Sequence, residues 1–156
     1  MRLALFQPDI PQNLGGAIRL AACLGVGLDV IEPCGFPLSD RALKRAAMDY
    51  AVQAEVERHD SWEAFRAAHA GGRLVLFTTR AAEPLHRFEF RPDDVLLFGR
   101  ESAGAPEEVH AAADARLAIP IRPETRSLNL VTAAAIALGE ALRQTGGFQP
   151  FPVEAQ

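Results

Sequence analysis

Two stretches of the chain carry more hydrogen-bonding groups than a plain connection between structural elements needs. Residues 122–129 read RPETRSLN after the apolar run LAIPI, and residues 99–104 read GRESAG after DVLLF. A third polar stretch, residues 78–80 with the sequence TTR, follows RLVLF. Exposed backbone, hydroxyl groups and a carboxylate commonly bind adenosine-like ligands, so these three stretches are candidates for lining one ligand pocket.

The elements that must position these loops are strands that alternate with helices. The apolar patterns predict strands at 3–6, 28–32, 52–56, 73–79, 94–99 and 115–121. They predict helices at 13–25, 39–50, 61–70, 106–113 and 130–144, with a loop at 80–93. This alternation is typical of an α/β fold with a mainly parallel sheet flanked by helices. Ligands of such sheets bind beyond the carboxyl ends of the strands, where the three polar stretches begin.

Capping residues mark several of the predicted helix ends. Asn13 is the predicted N-cap of the first helix, and Gly25 is its C-terminal stop. Ser127 and Asn129 are alternative caps for the last helix, and Pro106 is expected at the first position of a short one. Capping of the last helix is therefore an alternative explanation for Ser127 and Asn129 in the polar stretch 122–129.

The last predicted helix, 130–144, is rich in alanine and has little polar surface over its first turns. A helix that is apolar on most faces is buried on most faces. In a chain of 156 residues, this predicts contact with a second subunit as well as with the helix's own sheet. Residues 1–148 are expected to form one domain and residues 149–156 a flexible tail.

Composition gives no general signature for nucleic-acid binding. Hydrophobic residues make up 49% of the chain, charged residues 23%, and the net charge is −4. These values are ordinary for a globular protein, but they leave room for local basic patches. Arg41, Lys44 and Arg45 lie on one short predicted helix and form either a solvated face or a patch for RNA phosphates.

Several common site motifs are absent from the sequence. GRESAG is not a GxGxxG fingerprint, because Glu101 stands in its middle, and no P-loop, HExxH or GxSxG occurs. Cys23 and Cys34 form no CxxC pair. Four scattered histidines are interpreted as solvated or core residues: His59, His69, His86 and His110. No metal site is predicted, no segment approaches the length of a membrane span, and a cytoplasmic location is expected.

Three segments together resemble the three motifs of the SPOUT methyltransferases, in the same order and spacing. They are residues 8–25, 96–106 and 117–144. Residues 30–50 are similar to the small members of that superfamily, which methylate the ribose 2′-hydroxyl at the wobble position of tRNA. The resemblance implies a C-terminal deep trefoil knot, S-adenosylmethionine as methyl donor with S-adenosylhomocysteine as product, and no metal. It also implies a homodimer acting on the anticodon stem-loop of tRNA, at cytidine or a modified uridine 34, and not on DNA or membranes.

The resemblance also assigns site residues. It places the cofactor at Phe77, Thr78, Gly99, Glu101, Gly104, Ile119, Ile121, Ser127 and Leu128. It places catalysis at Arg19, Asn13, Glu101 and Asn129, and RNA contacts at Arg19, Arg41, Lys44 and Arg45. Arg19 matches the arginine that family mechanisms assign to the substrate hydroxyl. Because a guanidinium is effectively always protonated, a charged Arg19 that stabilises the developing alkoxide is favoured over Arg19 as a base.

The chain departs from its relatives at a few positions. Leu14-Gly15-Gly16 stands where they often carry Thr-Gly-Asn, Val131-Thr132 where they often carry Ser-Asn, and Gly139 where a tyrosine is common. Three alternatives to the main hypothesis stay open. They are an unrelated α/β enzyme or dinucleotide binder, a SPOUT enzyme that modifies another RNA ribose, and a knotted RNA-binding protein without catalysis.

Overall fold

The fold is known from a computed structural model, which describes residues 1–39, 55–81 and 83–150. Its centre is a seven-stranded sheet in which every described strand pair is parallel. The strands are β1 (Arg2–Phe6), β2 (Gly27–Ile31), β3 (Val56–His59), β4 (Leu74–Phe77), β5 (Glu83–Pro84), β6 (Val95–Phe98) and β7 (Ala115–Ala118). Their order across the sheet is β3-β2-β1-β6-β4-β7-β5.

Helices cover both faces of this sheet. They are α1 (Pro11–Leu24), α2 (Trp62–Ala68), α3 (Glu107–Ala112) and α4 (Leu130–Thr145), with a short 3-10 helix at Leu85–Arg87. One hydrophobic cluster joins one sheet face to α1 and α4, and a second joins the other face to α2 and α3. Successive side chains of a strand point to opposite faces, so Leu3 and Leu5 enter the first cluster while Ala4 and Phe6 enter the second. The α/β architecture and the mainly parallel sheet are confirmed.

Most predicted elements are present, and their ends differ for identifiable reasons. The first helix begins at Pro11 with Ile10 at its N-cap, so the prediction of Asn13 as the cap was wrong. Proline lacks an N–H and is favoured in the first turn, and this starts the helix before Asn13. Gly25 does end the helix, in the left-handed conformation with φ 66°.

The remaining differences concern short segments. The described part of the third predicted strand is shifted, since β3 begins at Val56. β7 ends at Ala118, two residues before Pro120, which has no N–H to donate to a sheet ladder. Pro106 occupies the cap position of α3 and not its first turn. The predicted loop 80–93 contains β5 and the 3-10 helix.

Asn129 is the N-cap of α4, which decides between the two candidate caps. Its side-chain oxygen accepts hydrogen bonds from the backbone N–H of Val131 at 2.9 Å and of Thr132 at 3.3 Å. The predicted helix 39–50, which holds Arg41, Lys44 and Arg45, lies outside the described residues except for Ser39. Among the helices of the described part, none combines the length and the apolar character that crossing a membrane requires.

Candidate functional site

A cavity of about 760 Å³ opens at the carboxyl ends of three neighbouring strands. Its walls include the last residue of β4, β6 and β7 and the residue that follows each of them. The loops after these strands are residues 78–81, 99–106 and 119–129, so the three polar stretches of the sequence do meet at one site. The position agrees with the general rule for ligand sites in parallel sheets.

The structure brings together every residue predicted to hold the cofactor. These residues all line the cavity: Phe77, Thr78, Gly99, Glu101, Gly104, Ile119, Ile121, Ser127 and Leu128. Phe77 and Phe98 stack in its wall, with ring centroids 4.9 Å apart and an interplanar angle of 5°. By contrast, Leu128 is 37% exposed at the mouth. The cavity therefore has an apolar, aromatic floor, and its rim combines Leu128 with exposed polar side chains such as Arg126 and Ser127.

The loop after β6 is closed on itself by its own backbone. Arg100 and Gly104 exchange two backbone hydrogen bonds, of 3.1 Å and 2.8 Å. A side chain at Gly99 would stand 2.4 Å from the backbone nitrogen of Ala105, and Gly104 has φ 68°. Both positions therefore require glycine, one for the close approach of backbone and one for its conformation. This tight loop presents Glu101 at its tip.

A chain of side-chain hydrogen bonds connects three of the four predicted catalytic residues. The amide of Asn129 donates to the side-chain oxygen of Asn13 at 2.9 Å, and the amide of Asn13 donates to the carboxylate of Glu101 at 2.9 Å. Because Asn129 also caps α4, the chain links the start of that helix to α1 and to the loop after β6. We call Glu101, Asn13 and Asn129 the carboxamide chain.

Asp9 extends this network and was missed by the sequence analysis. Its backbone N–H donates to Glu101 at 2.9 Å, and its carboxylate accepts a hydrogen bond from the hydroxyl of Ser102. Hydrogen bonding to the Glu101 side chain and to Ser102 lowers the pKa of the Asp9 carboxyl below its ordinary value. Asp9 therefore fixes the loop that carries Glu101 from the other side, and its position just before Pro11 gave no sign of that contact.

Basic residues dominate the charged lining of the cavity. Among the described residues that line it, four are arginines, namely Arg80, Arg100, Arg122 and Arg126, and one is an acid, Glu101. His110 also lines the cavity, although the sequence analysis gave it no role. Burial, followed by the nearby charge of Arg80, lowers the pKa of His110, which favours the neutral imidazole. The site is thus locally positive in a chain whose net charge is −4.

Arg19 stands apart from the other predicted catalytic residues. It lies on the exposed side of α1 and does not line the cavity of its own chain. Arg41, Lys44 and Arg45, the other predicted RNA contacts, lie outside the described residues. The structure therefore assembles the predicted cofactor residues and the carboxamide chain at one site, while Arg19 lies outside the cavity of its own chain.

Known proteins are similar to this one along nearly the whole chain. The family described as SpoU rRNA Methylase matches residues 1–139. A tRNA (cytidine(34)-2′-O)-methyltransferase of Beijerinckia indica is 62% identical over 146 residues, which are 92% of this chain and 91% of that protein. One of Ancylobacter novellus is 54% identical over 151 residues, 95% of each chain.

Solved structures share the fold as well as the sequence. One, described as giving structural insights into the 2-OH methylation of C/U34 on tRNA, aligns with a TM-score of 0.85 and 46% identity over 92% of this chain and 94% of its own. The SpoU methyltransferase AviRb from Streptomyces viridochromogenes, in complex with the cofactor AdoMet, aligns with a TM-score of 0.78 and 28% identity. That alignment covers 92% of this chain and 60% of AviRb.

Proposed function

Because the chain belongs to the SpoU rRNA methylase family, we propose that it methylates the ribose 2′-hydroxyl of the wobble nucleotide, position 34, of tRNA. The methyl donor is S-adenosylmethionine, and the acceptor nucleotide is cytidine or a modified uridine in the anticodon stem-loop. The relatives that are 62% and 54% identical over the aligned residues bear the name of this activity. We place the reaction in the cytoplasm, where tRNA is the available substrate.

The observation that carries this proposal is the carboxamide chain at the mouth of the cavity. Its three members come from α1, from the loop after β6 and from the start of α4, yet they meet through hydrogen bonds of 2.9 Å. A network of this kind holds its members in fixed orientation, which is a large part of what a transfer reaction needs. The network works without a nucleophilic side chain and without a metal ligand. A direct methyl transfer to an oxygen needs neither of these groups.

The residues of the cavity fit S-adenosylmethionine. Its volume of about 760 Å³ lies within the range of small-molecule and cofactor sites. The floor offers aromatic side chains, and the rim offers backbone groups of residues 99–104 and 119–129. Arg100 lines the cavity, and its side-chain Nε is buried without a hydrogen-bond partner among the described residues. A ligand with hydrogen-bond acceptors would satisfy that donor.

In this site the chain's own residues position the acceptor and stabilise charge. S-adenosylmethionine supplies a methyl group activated by a sulfonium. The carboxamide chain holds Glu101 and Asn13 beside the cavity, where they orient the ribose so that its oxygen lies in line with that methyl group. As the hydroxyl loses its proton, a positive guanidinium stabilises the developing alkoxide, and solvent or an RNA phosphate accepts the proton. The apolar floor excludes water and strengthens both effects.

Arg19 is our candidate for that guanidinium, and it requires a second subunit. It does not line its own cavity, so we propose a homodimer in which Arg19 of one protomer completes the site of the other. The outer side of α4 supports a dimer, since Ile136 is 40% exposed there and a side chain at Gly139 would meet open space. An apolar helix face is normally covered by a partner.

Subunit complementation tests this arrangement. Arg19→Ala and Glu101→Gln homodimers are each expected to be nearly inactive. When the two variants are mixed and the subunits exchange, each mixed dimer has one site that contains both Arg19 and Glu101. Mixing should therefore restore transfer. Arg19→Lys, which keeps the charge but loses the fork, should retain more turnover than Arg19→Ala. A mixture no more active than its two components, with mixed dimers present, would contradict the shared site.

The fold in its finer detail is also part of the proposal. We propose that the C-terminal segment forms a deep trefoil knot. The convergence of the loops at residues 99–106 and 119–129 on one cavity supports it, as does the packing of α4 against both α1 and β6. In this arrangement the loop that binds the cofactor leads directly into the dimer helix.

The arginines of the cavity rim are the described residues best placed to bind RNA. Arg122 and Arg126 are exposed beside the cofactor residues. Removing a phosphate contact lowers the slope of log affinity against log salt by about 0.7 for single-stranded nucleic acid. We expect Arg126→Ala to lower the slope for an anticodon stem-loop by that amount. Arg87→Ala, an exposed arginine that does not line the cavity, should leave it unchanged, and equal slopes for both variants would count against the rim.

The activity itself is tested by incubating the protein with labelled S-adenosylmethionine and bulk tRNA, then mapping the methylated nucleotide. The expected product is a 2′-O-methyl nucleotide at position 34. Transfer to a base, or to the ribose of another RNA, would replace the proposed function with a different SPOUT-type activity. No transfer by well-folded protein that binds the cofactor would favour a non-catalytic RNA-binding role.

A further inference from the structure

A second polar cluster lies far from the cavity lining, on the half of the sheet that α2 covers. It consists of Asp29 on β2, Glu57 and His59 on β3, and His69 just after α2. None of these four residues lines the cavity. Asp29 is fully buried, His59 is 5% exposed, and His69 is partly buried. The proposed methyl transfer uses none of them.

Both imidazoles point the same nitrogen at one carboxylate oxygen. Nε2 of His59 lies 2.8 Å from Oδ1 of Asp29, and Nε2 of His69 lies 3.1 Å from the same atom. Phe65 packs against both rings, with centroid distances of 5.3 Å and 4.9 Å. Two histidines that are held in place and directed at one carboxylate oxygen form a preorganised set of donor atoms. If each histidine only needed a hydrogen-bond partner, the two rings would not have to face the same atom.

The register of the sheet adds a fourth donor. Asp29 pairs with Glu57 across β2 and β3, so both side chains project from the same face, and His59 follows two residues later on that face. One ligand atom from each of the four residues lies within 4.8 Å of all the others. Tetrahedral zinc with ligand bonds of about 2.0–2.2 Å needs donor separations of roughly 3.3–3.6 Å, which small side-chain movements reach.

The charge balance of the cluster also favours a divalent cation. Arg2 contacts three carboxylates, those of Asp29 at 2.7 Å, Glu55 at 2.6 Å and Glu57 at 3.5 Å. The three carboxylates and the one guanidinium sum to a formal charge of −2 before the two imidazoles are counted. The contact between Arg2 and Glu57 is the longest of the three, and Glu57 is 52% exposed, so this carboxylate can turn to an ion and give it a path of entry.

Arg2 has the geometry of a supporting residue for such a site. Its Nε donates to Oδ2 of Asp29 at 2.7 Å and its Nη2 donates to Oδ1 at 3.2 Å, so the guanidinium fixes the plane of the carboxylate whose Oδ1 also faces the two histidines. A side chain at Gly27 would stand 2.5 Å from Nη1 of Arg2, so this glycine provides the space in which the guanidinium lies. Hydrogen bonds that orient a ligating carboxylate in this way are common around protein-bound metals.

We propose that Asp29, Glu57, His59 and His69 form a structural zinc site that fastens the edge strand β3 and the end of α2 to β2. Two imidazoles and two carboxylates are a donor set suited to zinc, whereas magnesium and calcium prefer oxygen ligands alone. The sequence analysis predicted no metal site, because these residues match no recognised ligand spacing. The site is separate from the methyl-transfer reaction, which requires no metal.

The test uses the full-length, untagged protein after removal of metals with a chelator. Cobalt(II) is added as a spectroscopic probe, and zinc binding is measured by calorimetry. The expected results are the visible d–d bands of tetrahedral cobalt, their loss on adding zinc, one zinc ion per chain, and a higher Tm with zinc but not with magnesium. Folded protein that gives no d–d bands and binds no zinc would overturn the proposal.

Variants at the exposed end of the cluster locate the ion. His69→Ala should weaken zinc binding by about 100-fold or more, because loss of a ligand costs at least as much as loss of a supporting residue. Glu57→Gln should weaken it by roughly tenfold. Glu55→Gln is the matched control, since Glu55 is an exposed glutamate that also pairs with Arg2 but is not a ligand.

Two outcomes would place the ion elsewhere and overturn the proposal. One is zinc binding by His69→Ala with the affinity of the unmodified protein. The other is an intense cobalt–thiolate charge-transfer band, which would assign the ion to a cysteine such as the exposed Cys23. Methyl transfer should be unchanged in His69→Ala and Glu57→Gln when assayed at a temperature where both are folded. This separates the zinc site from the proposed enzymatic function.

Discussion

Two polar networks join separate elements of this fold, and they differ in charge and in burial. At the cavity, Glu101, Asn13 and Asn129 are joined mainly through neutral amides, and Asn129 is exposed to solvent. Under α2, the fully buried carboxylate of Asp29 forms an ion pair with Arg2 and a hydrogen bond with His59. The first network therefore keeps polar groups accessible to ligands, while the second uses them to hold strands together. One sheet supports both networks, but they have different roles. Substitutions in the first should therefore lower activity, and substitutions in the second should lower stability.

The largest effect is expected from removing the buried charge of Asp29. Asp29→Asn removes the buried carboxylate from Arg2, which keeps only the exposed Glu55 and Glu57, and removing one partner of a buried pair typically costs about 3 kcal/mol. We expect a loss of that size in the free energy of unfolding, measured by urea denaturation of metal-free protein. Asp93→Asn, at an exposed turn, is the control and should change it little. Equal stabilities would show that the buried network does not hold the sheet together.

The same residue gives the buried network a defined dependence on pH. Burial opposes the charged form of Asp29, but hydrogen bonds from Arg2 and His59 outweigh it and lower the pKa of the carboxyl. Because the unfolded value is about 3.9, this contribution to stability is complete above that pH and is lost as the pH falls through the lower pKa of the folded state. Acid unfolding of Asp29→Asn should lack this component.

At the cavity, the expected effect is on turnover and not on stability. Glu101→Gln replaces an oxygen that accepts from Asn13 or Asp9 with an amide donor, which misplaces the loop tip. Displacements of about 1 Å at a reaction centre can cost about 100-fold in rate, so we expect kcat to fall by about that factor. Glu108→Gln, on the exposed side of α3, should retain full activity. A Glu101→Gln enzyme with normal kcat would remove the carboxamide chain from the mechanism.

Asn129 contributes both to the stability of α4 and to the geometry of the site, so its substitutions can separate the two roles. Asn129→Ala removes the cap of α4 and should cost about 1 kcal/mol of unfolding free energy, together with activity. Asn129→Ser restores a capping oxygen but is too short to reach Asn13 in the same position. We therefore expect Asn129→Ser to recover stability without recovering kcat. If stability and kcat recover together, the hydrogen bond to Asn13 has no separate role.

Residue patterns predicted the parts of this molecule that depend on local signals. β4 and β6 are continuous apolar runs, as expected for strands buried on both faces, and the polar stretches after them do line a cavity. The resemblance to SPOUT enzymes then assigned roles within those stretches. Its cofactor residues meet at one site, although their contacts with the cofactor remain predictions.

Contacts between distant parts of the chain could not be read from local patterns. Asp9 and Glu101 are 92 positions apart, and Asp29 and His59 are 30 apart. Both pairs depend on which strands become neighbours in the sheet, and the crossover that sets β6 beside β1 leaves no periodic signal. The local pattern around Asn13 indicated an N-cap for the same reason, since the side-chain partners of Asn13 lie on the loop after β6 and just before α4.

The central claim is that the acceptor is the 2′-hydroxyl of nucleotide 34, and one substitution in the RNA tests it directly. Two anticodon stem-loops are compared that are identical except for a 2′-deoxy sugar at position 34, with labelled S-adenosylmethionine as donor. We expect transfer to the all-ribose substrate and none to the deoxy substrate, while both bind with similar affinity. Equal transfer to both would contradict the account, because the methyl group would then be going to another atom.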